Sequence, residues 1–189
     1  MNKKNIIIIG LIFFVFSHWL FAKGADFAYA QKPIDFAHWL NLIGAILLIY
    51  FNYIFPKNKL NSIASFLTTL GVIAHVGLCT IDFIFWSFGD DYASRNELME
   101  HLGNTPSIAI PFVYVGPSLL FLGLATHTLN FIRSNPIGSI LTIAGAILTG
   151  LGHFLWNNGI YVAIASTIFA IGLVIILYRK EMETDQNRI

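Results

Sequence analysis

The sequence predicts an all-α integral membrane protein, a single bundle of six transmembrane helices with N-in/C-in topology. Three observations predict it. Hydrophobic residues make up 56% of the 189-residue chain and charged residues only 11%, against roughly 25% charged in a soluble domain. Six apolar segments each reach the about 20 residues that a helical crossing needs. The basic residues concentrate on alternate connections, as the cytoplasmic bias of Lys and Arg requires.

The first span, 5–22, follows Lys3 and Lys4 and carries His18-Trp19 near its far end. Lys3-Lys4, an apolar run and Ala28-Tyr29-Ala30 also have the form of a cleavable signal. Phe21 and Ala22 prolong the apolar run and favour a span; cleavage within 1–30 would leave the other five spans oriented as before. The second span, 36–55, contains His38, Asn41 and Asn52, and the third, 61–88, contains the stretch HVGLCTIDFIFW. The fourth, 107–132, has Pro111 and Pro117 in its interior with Gly116 beside the second. Missing N–H groups there predict a kinked or locally unwound helix, tolerable where protein or water satisfies the freed carbonyls. The fifth and sixth, 137–156 and 159–178, are separated only by the turn at 157–158, and no Asp, Glu, Lys or Arg occurs from Pro136 to Tyr178.

With the N-terminus inside, the cytoplasmic side holds Lys3, Lys4, Lys57, Lys59, Arg133, Arg179, Lys180 and Arg188, eight of the eleven basic residues. The outer side holds Lys23, Lys32 and Arg95 among several acids. A cell-membrane, multi-pass location follows as the expectation. In the outer loop 89–105, Ser94-Arg95-Asn96-Glu97 matches a capping box ahead of Leu98, Met99 and Leu102, which predicts a short amphipathic outer helix. It would serve as a connector or as a lid. Gly44-Ala45-Ile46-Leu47 recurs as Gly145-Ala146-Ile147-Leu148 in an oppositely directed span, a short match to what an inverted repeat would give.

Asp82 is the one Asp, Glu, Lys or Arg inside any predicted span. On a helix it shares a face with Thr68, Gly71, His75, Cys79 and Trp86, while Val76, Phe83 and Ile84 point elsewhere. An ionisable group in a span faces the bundle interior. Helical rise places Asp82 about 10 Å outward of its span's middle, with His18, His38 and His153 about 7–12 Å outward in theirs. Four helices therefore bring three imidazoles and a carboxylate to one level, with His75 below it.

Three His and one Asp are a ligand set for a divalent transition metal, zinc above all, with an open position for water. The metal ligands on this reading are His18, His38, Asp82 and His153, and Asp82 or His75 would act as catalytic base. Metal-bound water attacking an ester or amide gives a membrane-embedded, metal-dependent hydrolase of a lipid or lipid-like substrate. Three other readings compete. Trp19, Trp39, Trp86 and Trp156 fall near outer span ends, so His18-Trp19 and His38-Trp39 also read as interfacial anchors. Histidines on facing helices can hold haem b, with His18 or His38 paired to His153. A titrating Asp82, with His75, would suit a small transporter, channel or sensor.

Other chemistry is set aside. Nucleotide-binding, zincin and serine-hydrolase motifs are absent from the sequence, and the length excludes a transporter of two large halves. Net charge of +1 implies no nucleic-acid partner, and one cysteine, Cys79, rules out an intrachain disulfide. Membrane lipids are the expected partners, and self-association into a homo-oligomer is left open.

Overall fold

A computed structural model describes residues 2–186, with Phe154 and 179–186 described as backbone only. The described residues are helical throughout, joined by short turns, and contain no strand. Helix α1 (Lys3–Phe21) leads through α2 (Ala25–Tyr29) to α3 (Phe36–Leu48), which a short turn continues as α4 (Phe51–Ile54). Next come α5 (Lys59–Ser87), α6 (Tyr92–Gly103), α7 (Pro106–Ile108), α8 (Gly116–Thr128), α9 (Pro136–Phe154) and α10 (Gly159–Gln186). Six of the resulting helical stretches are long and apolar enough to cross a membrane: Lys3–Phe21, Phe36–Ile54, Lys59–Ser87, Pro106–Phe131, Pro136–His153 and Gly159–Tyr178. That makes the chain a multi-pass membrane protein by length and composition.

Local chemistry sets the helix starts. Asn2, Asp35, Asn58, Asp91 and Asn135 each accept a backbone N–H of the first turn of α1, α3, α5, α6 and α9, satisfying donors that a helix leaves open. For α6 this differs from expectation. The helix begins at Asp91, whose carboxylate accepts from Ser94 N at 3.1 Å, so no capping box forms at Ser94. Those bonds hold the Asp91 carboxyl below its usual range. The buried residue of α6 is Arg95 rather than an apolar stripe; Leu98 and Leu102 are half-buried and Met99 is exposed.

The break expected in the fourth span is a π-helical stretch, Ala109–Tyr114, between α7 and α8. Val115 N donates to Ile110 O at 2.9 Å across it. Gly116 makes the tight re-entry into α8 feasible, because a Cβ there would lie 1.7 Å from Pro111 O. π-segments of this kind concentrate at functional sites.

The six crossings pair in sequence as antiparallel hairpins, α1 with α3, α5 with α8, and α9 with α10; lesser contacts of α3 with α5, α8 with α9 and α10 with α1 close a ring. Small residues set the hairpin spacing. A Cβ on Gly71 would lie 2.1 Å from Leu120 N, one on Gly145 2.5 Å from Phe169 N, and one on Gly44 2.7 Å from Phe14 N. Inside the ring the two halves differ. Ile7, Phe14, Leu48, Phe51, Leu124, Phe169, Leu173 and Ile176 fill the half nearer the start of α1. The opposite half is hollow. Around the outside, Ile12, Phe16, Ile63, Phe66, Ile73, Ile140 and Ile171 are exposed, as side chains meeting acyl chains would be.

The hairpin contacts yield a direct comparison. Gly71→Ala forces a methyl against the α8 backbone and should destabilise the protein by about 1–3 kcal/mol. Gly150→Ala, where a Cβ meets nothing within 4 Å, should change stability by under about 1 kcal/mol. Denaturant titration in detergent, followed by tryptophan fluorescence, checks both.

Candidate functional site

The hollow half is a cavity of about 920 Å³, and every sequence-predicted site residue lines it: His18, His38, His75, Asp82 and His153. The structure sorts them into two groups rather than one ligand sphere.

The first group grows from the start of α3. Asp35 caps that helix, accepting His38 N at 3.1 Å with one carboxylate oxygen while the other lies 2.5 Å from His38 Nδ1. The Asp-x-x-His spacing makes this possible, since the capping position and the third helical residue stack on one side of the first turn. His38 Nε2 lies 3.3 Å from Asp82 Oδ2 on α5. The imidazole thus bridges two carboxylates, one sealed at 1% exposure and one at 17% on the cavity wall. Tyr29 of α2 donates its hydroxyl to Asp82 Oδ1 at 3.4 Å and stacks on the His38 ring. Burial first, then the Asp82 carboxylate, hold the Tyr29 phenol above its usual pKa, with Arg95 opposing. It therefore stays a hydroxyl donor across physiological pH. Behind it the buried Arg95 guanidinium sits 4.6 Å from the centres of both the Tyr29 and Tyr92 rings, at cation–π distance.

The second group surrounds Phe14 and Phe121. His18 Nδ1 lies 2.8 Å from Phe14 O and His75 Nδ1 lies 2.9 Å from Gly71 O, each one helical turn back. A carbonyl oxygen carries no proton, so Nδ1 must donate in both. The Nε2 atoms keep their lone pairs and have no partner among the described residues. Both rings pack on Phe14 and Phe121. His153 is exposed at the cavity rim with Asn157 and Gly159.

These contacts bear on the expected metal set. Both nitrogens of His38 face carboxylate oxygens, so it has no lone pair free to join His18 and His153 around an ion. Among the described residues no group of three or more His, Cys, Asp or Glu side chains is placed to hold a metal ion. With His38 engaged at both nitrogens, the expected ligands His18, His38, Asp82 and His153 do not form one chelating sphere as arranged. For haem b, the same engagement removes His38 as an axial ligand, whereas His18 keeps an available Nε2.

The predicted face of α5 is largely as read: Thr68, Gly71, His75 and Cys79 are buried, and Val76 and Ile84 are exposed. Phe83 departs from it, packing on Trp39 and the His38 ring. Asn41 ties the level together, donating to Ser17 Oγ at 3.2 Å and accepting weakly from Cys79 Sγ. Two tryptophans read as belt residues make specific bonds: Trp19 Nε1 to Thr167 Oγ1, and Trp86 Nε1 to Gln31 O. His127 lies at the other end, with Asn61 Oδ1 2.8 Å from Nδ1 and Asn52 Oδ1 3.0 Å from Nε2.

Sequence reading missed Asp35, Tyr29 and Arg95, which fall outside the spans. The one signal for Asp35 was a helix-capping acid three residues before a histidine.

Asp35 has two jobs that substitutions can separate. Asp35→Asn keeps a capping oxygen but removes the charge beside His38, and should cost about 1–3 kcal/mol. Asp35→Ala loses the cap as well and should cost about 1 kcal/mol more. Unfolding in detergent at fixed pH measures the difference.

No family model matches the chain, and no curated protein or solved structure matches it either.

Proposed function

We propose that this protein is a membrane-embedded enzyme that admits a lipid-like amphiphile into its bundle and hydrolyses an ester or amide bond near its head. One observation carries the reading: the Asp35–His38–Asp82 chain opens on a cavity large enough for such a molecule. Two carboxylates flanking an imidazole form an acid–base unit. Asp35 fixes the ring and stabilises positive charge on it, as the acid of a catalytic triad does. A water beside Asp82 would lose its proton to the Asp82–His38 pair and attack the scissile carbonyl, and the pair would return that proton to the leaving group. Tyr29, a standing hydroxyl donor, orients Asp82.

Access supports an amphiphile. Leu122 of α8 and Ile147 of α9 line the cavity and are 52% and 58% exposed, and these two helices make one of the slighter contacts in the ring. An acyl chain would enter from the bilayer between them. Val113 and Tyr114, in the π-helical stretch, line the same cavity. Because His38 is engaged by two carboxylates, no step is assigned to a metal.

Orientation belongs to the same proposal. The excess of basic residues beside the packed half supports cytoplasmic termini and a cavity opening toward the outer leaflet of the cell membrane. Single cysteines replacing Lys57 and Lys32, in a Cys79→Ala background, test it in intact cells with an impermeant maleimide. Position 32 should label and position 57 should not; the reverse pattern would invert the assignment.

A chromogenic long-chain ester, p-nitrophenyl laurate in neutral micelles, tests the chemistry. Asp82→Asn and His38→Gln should each lower kcat by about 100-fold or more, with unfolding midpoints showing that both variants fold. Chelator should leave the wild-type rate unchanged. Wild-type turnover no faster than that of Asp82→Asn would sink the acid–base reading.

A further inference from the structure

Three polar groups on the cavity wall, His18, His75 and Asp82, share one hydrogen-bonding role. All three accept hydrogen bonds. His18 and His75 are each about 95% buried or more, and their Nδ1 protons are committed to the carbonyls of Phe14 and Gly71. Each therefore offers the cavity only an Nε2 lone pair. Asp82 offers carboxylate oxygens. Among the described residues no Lys or Arg lines the space, and Arg95 lies behind Tyr29, outside the lining.

The Nε2 atoms of His18 and His75 meet no donor among the described residues, and the partly exposed Asp82 carboxylate faces the same space, so an occupant that donates hydrogen bonds suits all three. Charge points the same way. An imidazolium between two carboxylates leaves one net negative charge at the wall, and so does a neutral imidazole beside one protonated acid. Phe21, Phe121 and Tyr114 add aromatic faces to the lining, which favour a cation.

We infer that the cavity selects an amphiphile with a primary ammonium head, and discriminates against carboxylate and phosphate heads. The three N–H bonds of an ammonium match the acceptor inventory, and its charge balances the Asp35–His38–Asp82 unit. An anionic head would meet carboxylate and lone pairs with no cation to offset them. A chelated metal would also use lone pairs, but among the described residues no group of three His, Cys, Asp or Glu side chains is placed to hold one. This inference rests on the amphiphile reading of the site and specifies its substrate class.

The test is a binding series on the wild-type protein in neutral maltoside micelles, with dodecylammonium, dodecanol and dodecanoate as probes of equal chain length. Thermal unfolding and tryptophan quenching report occupancy. Dodecylammonium should bind about tenfold or more tightly than either other probe, and Asp82→Asn should erase that preference. Equal binding of the three, or tighter binding of dodecanoate, overturns the inference. So does zinc chloride raising the unfolding temperature where dodecylammonium does not, or a Soret band in the purified protein, since either would assign the lone pairs to a metal centre. Should Asp82→Asn fail to fold, Tyr29→Phe, which removes a donor to Asp82 but leaves its charge, should retain the preference. Its loss in that variant counts against the inference. The outcome is separable from that of the ester assay. Ammonium preference without ester turnover keeps this inference and removes the hydrolase; turnover without preference does the reverse.

Discussion

A carboxylate within a membrane bundle has to be held by the protein, because hydrocarbon offers it nothing. The cost of stranding a charge there is several kcal/mol or more, and Asp82 escapes it through His38 Nε2 at 3.3 Å and the Tyr29 hydroxyl at 3.4 Å. Much of this end of the molecule follows. His38 can serve only if its ring is fixed, which Asp35 does while starting α3. Tyr29 can serve only if α2 folds back over the bundle end, and Arg95 clamps it there by stacking on its ring. A loop helix, a short connecting helix and two crossings are thereby bound to one carboxyl group.

The same constraint explains why the ring is solid at one end and hollow at the other. Close hairpins need glycine where backbones touch, as at Gly71 against Leu120 and Gly145 against Phe169. In the packed half, Phe14, Leu48, Phe51 and Leu124 fill what remains. In the hollow half the inward positions are taken by His18, His38, Asn41, His75 and Asp82, whose polar atoms cannot close on one another apolar-fashion. A cavity persists because its walls are chemically unable to collapse.

Six crossings and the inward turn of Asp82 were legible from hydropathy and helical spacing, because burial in a bundle obeys a period of 3.6 residues. Placing His18, His38, Asp82 and His153 at one level, with His75 below it, followed from rise alone. Their division into two groups did not. Whether an imidazole is a ligand depends on what its second nitrogen touches, and for His18 and His75 that is a carbonyl four residues back, a contact any helical histidine can make or decline. Asp35 was hidden for a different reason. It stands just outside a hydrophobic span, where hydropathy assigns it to water, yet capping draws it in to 1% exposure. The α6 start was misplaced by three residues because Asp91 caps the helix by accepting from Ser94 N, which puts Ser94 inside the first turn rather than ahead of it.

The solid half also bears on the choice between chemistry and transport. A carrier must expose its site to each side in turn, and the cavity floor here rests on side chains that are fully buried: Phe14, Leu48, Phe51, Leu120, Leu124 and Phe169. Opening toward the packed half would require separating hairpins at contacts with no space to spare, where a single methyl does not fit. His127 adds to the resistance, since Asn52 and Asn61 hold it between α4, α5 and α8 at that end. Opening sideways costs less, because α8 and α9 make one of the slighter contacts in the ring and both line the cavity, through Leu122 and Ile147 among others. The proposed lateral entry, set against a solid half opposite, suits a molecule that enters, reacts and leaves by the same route.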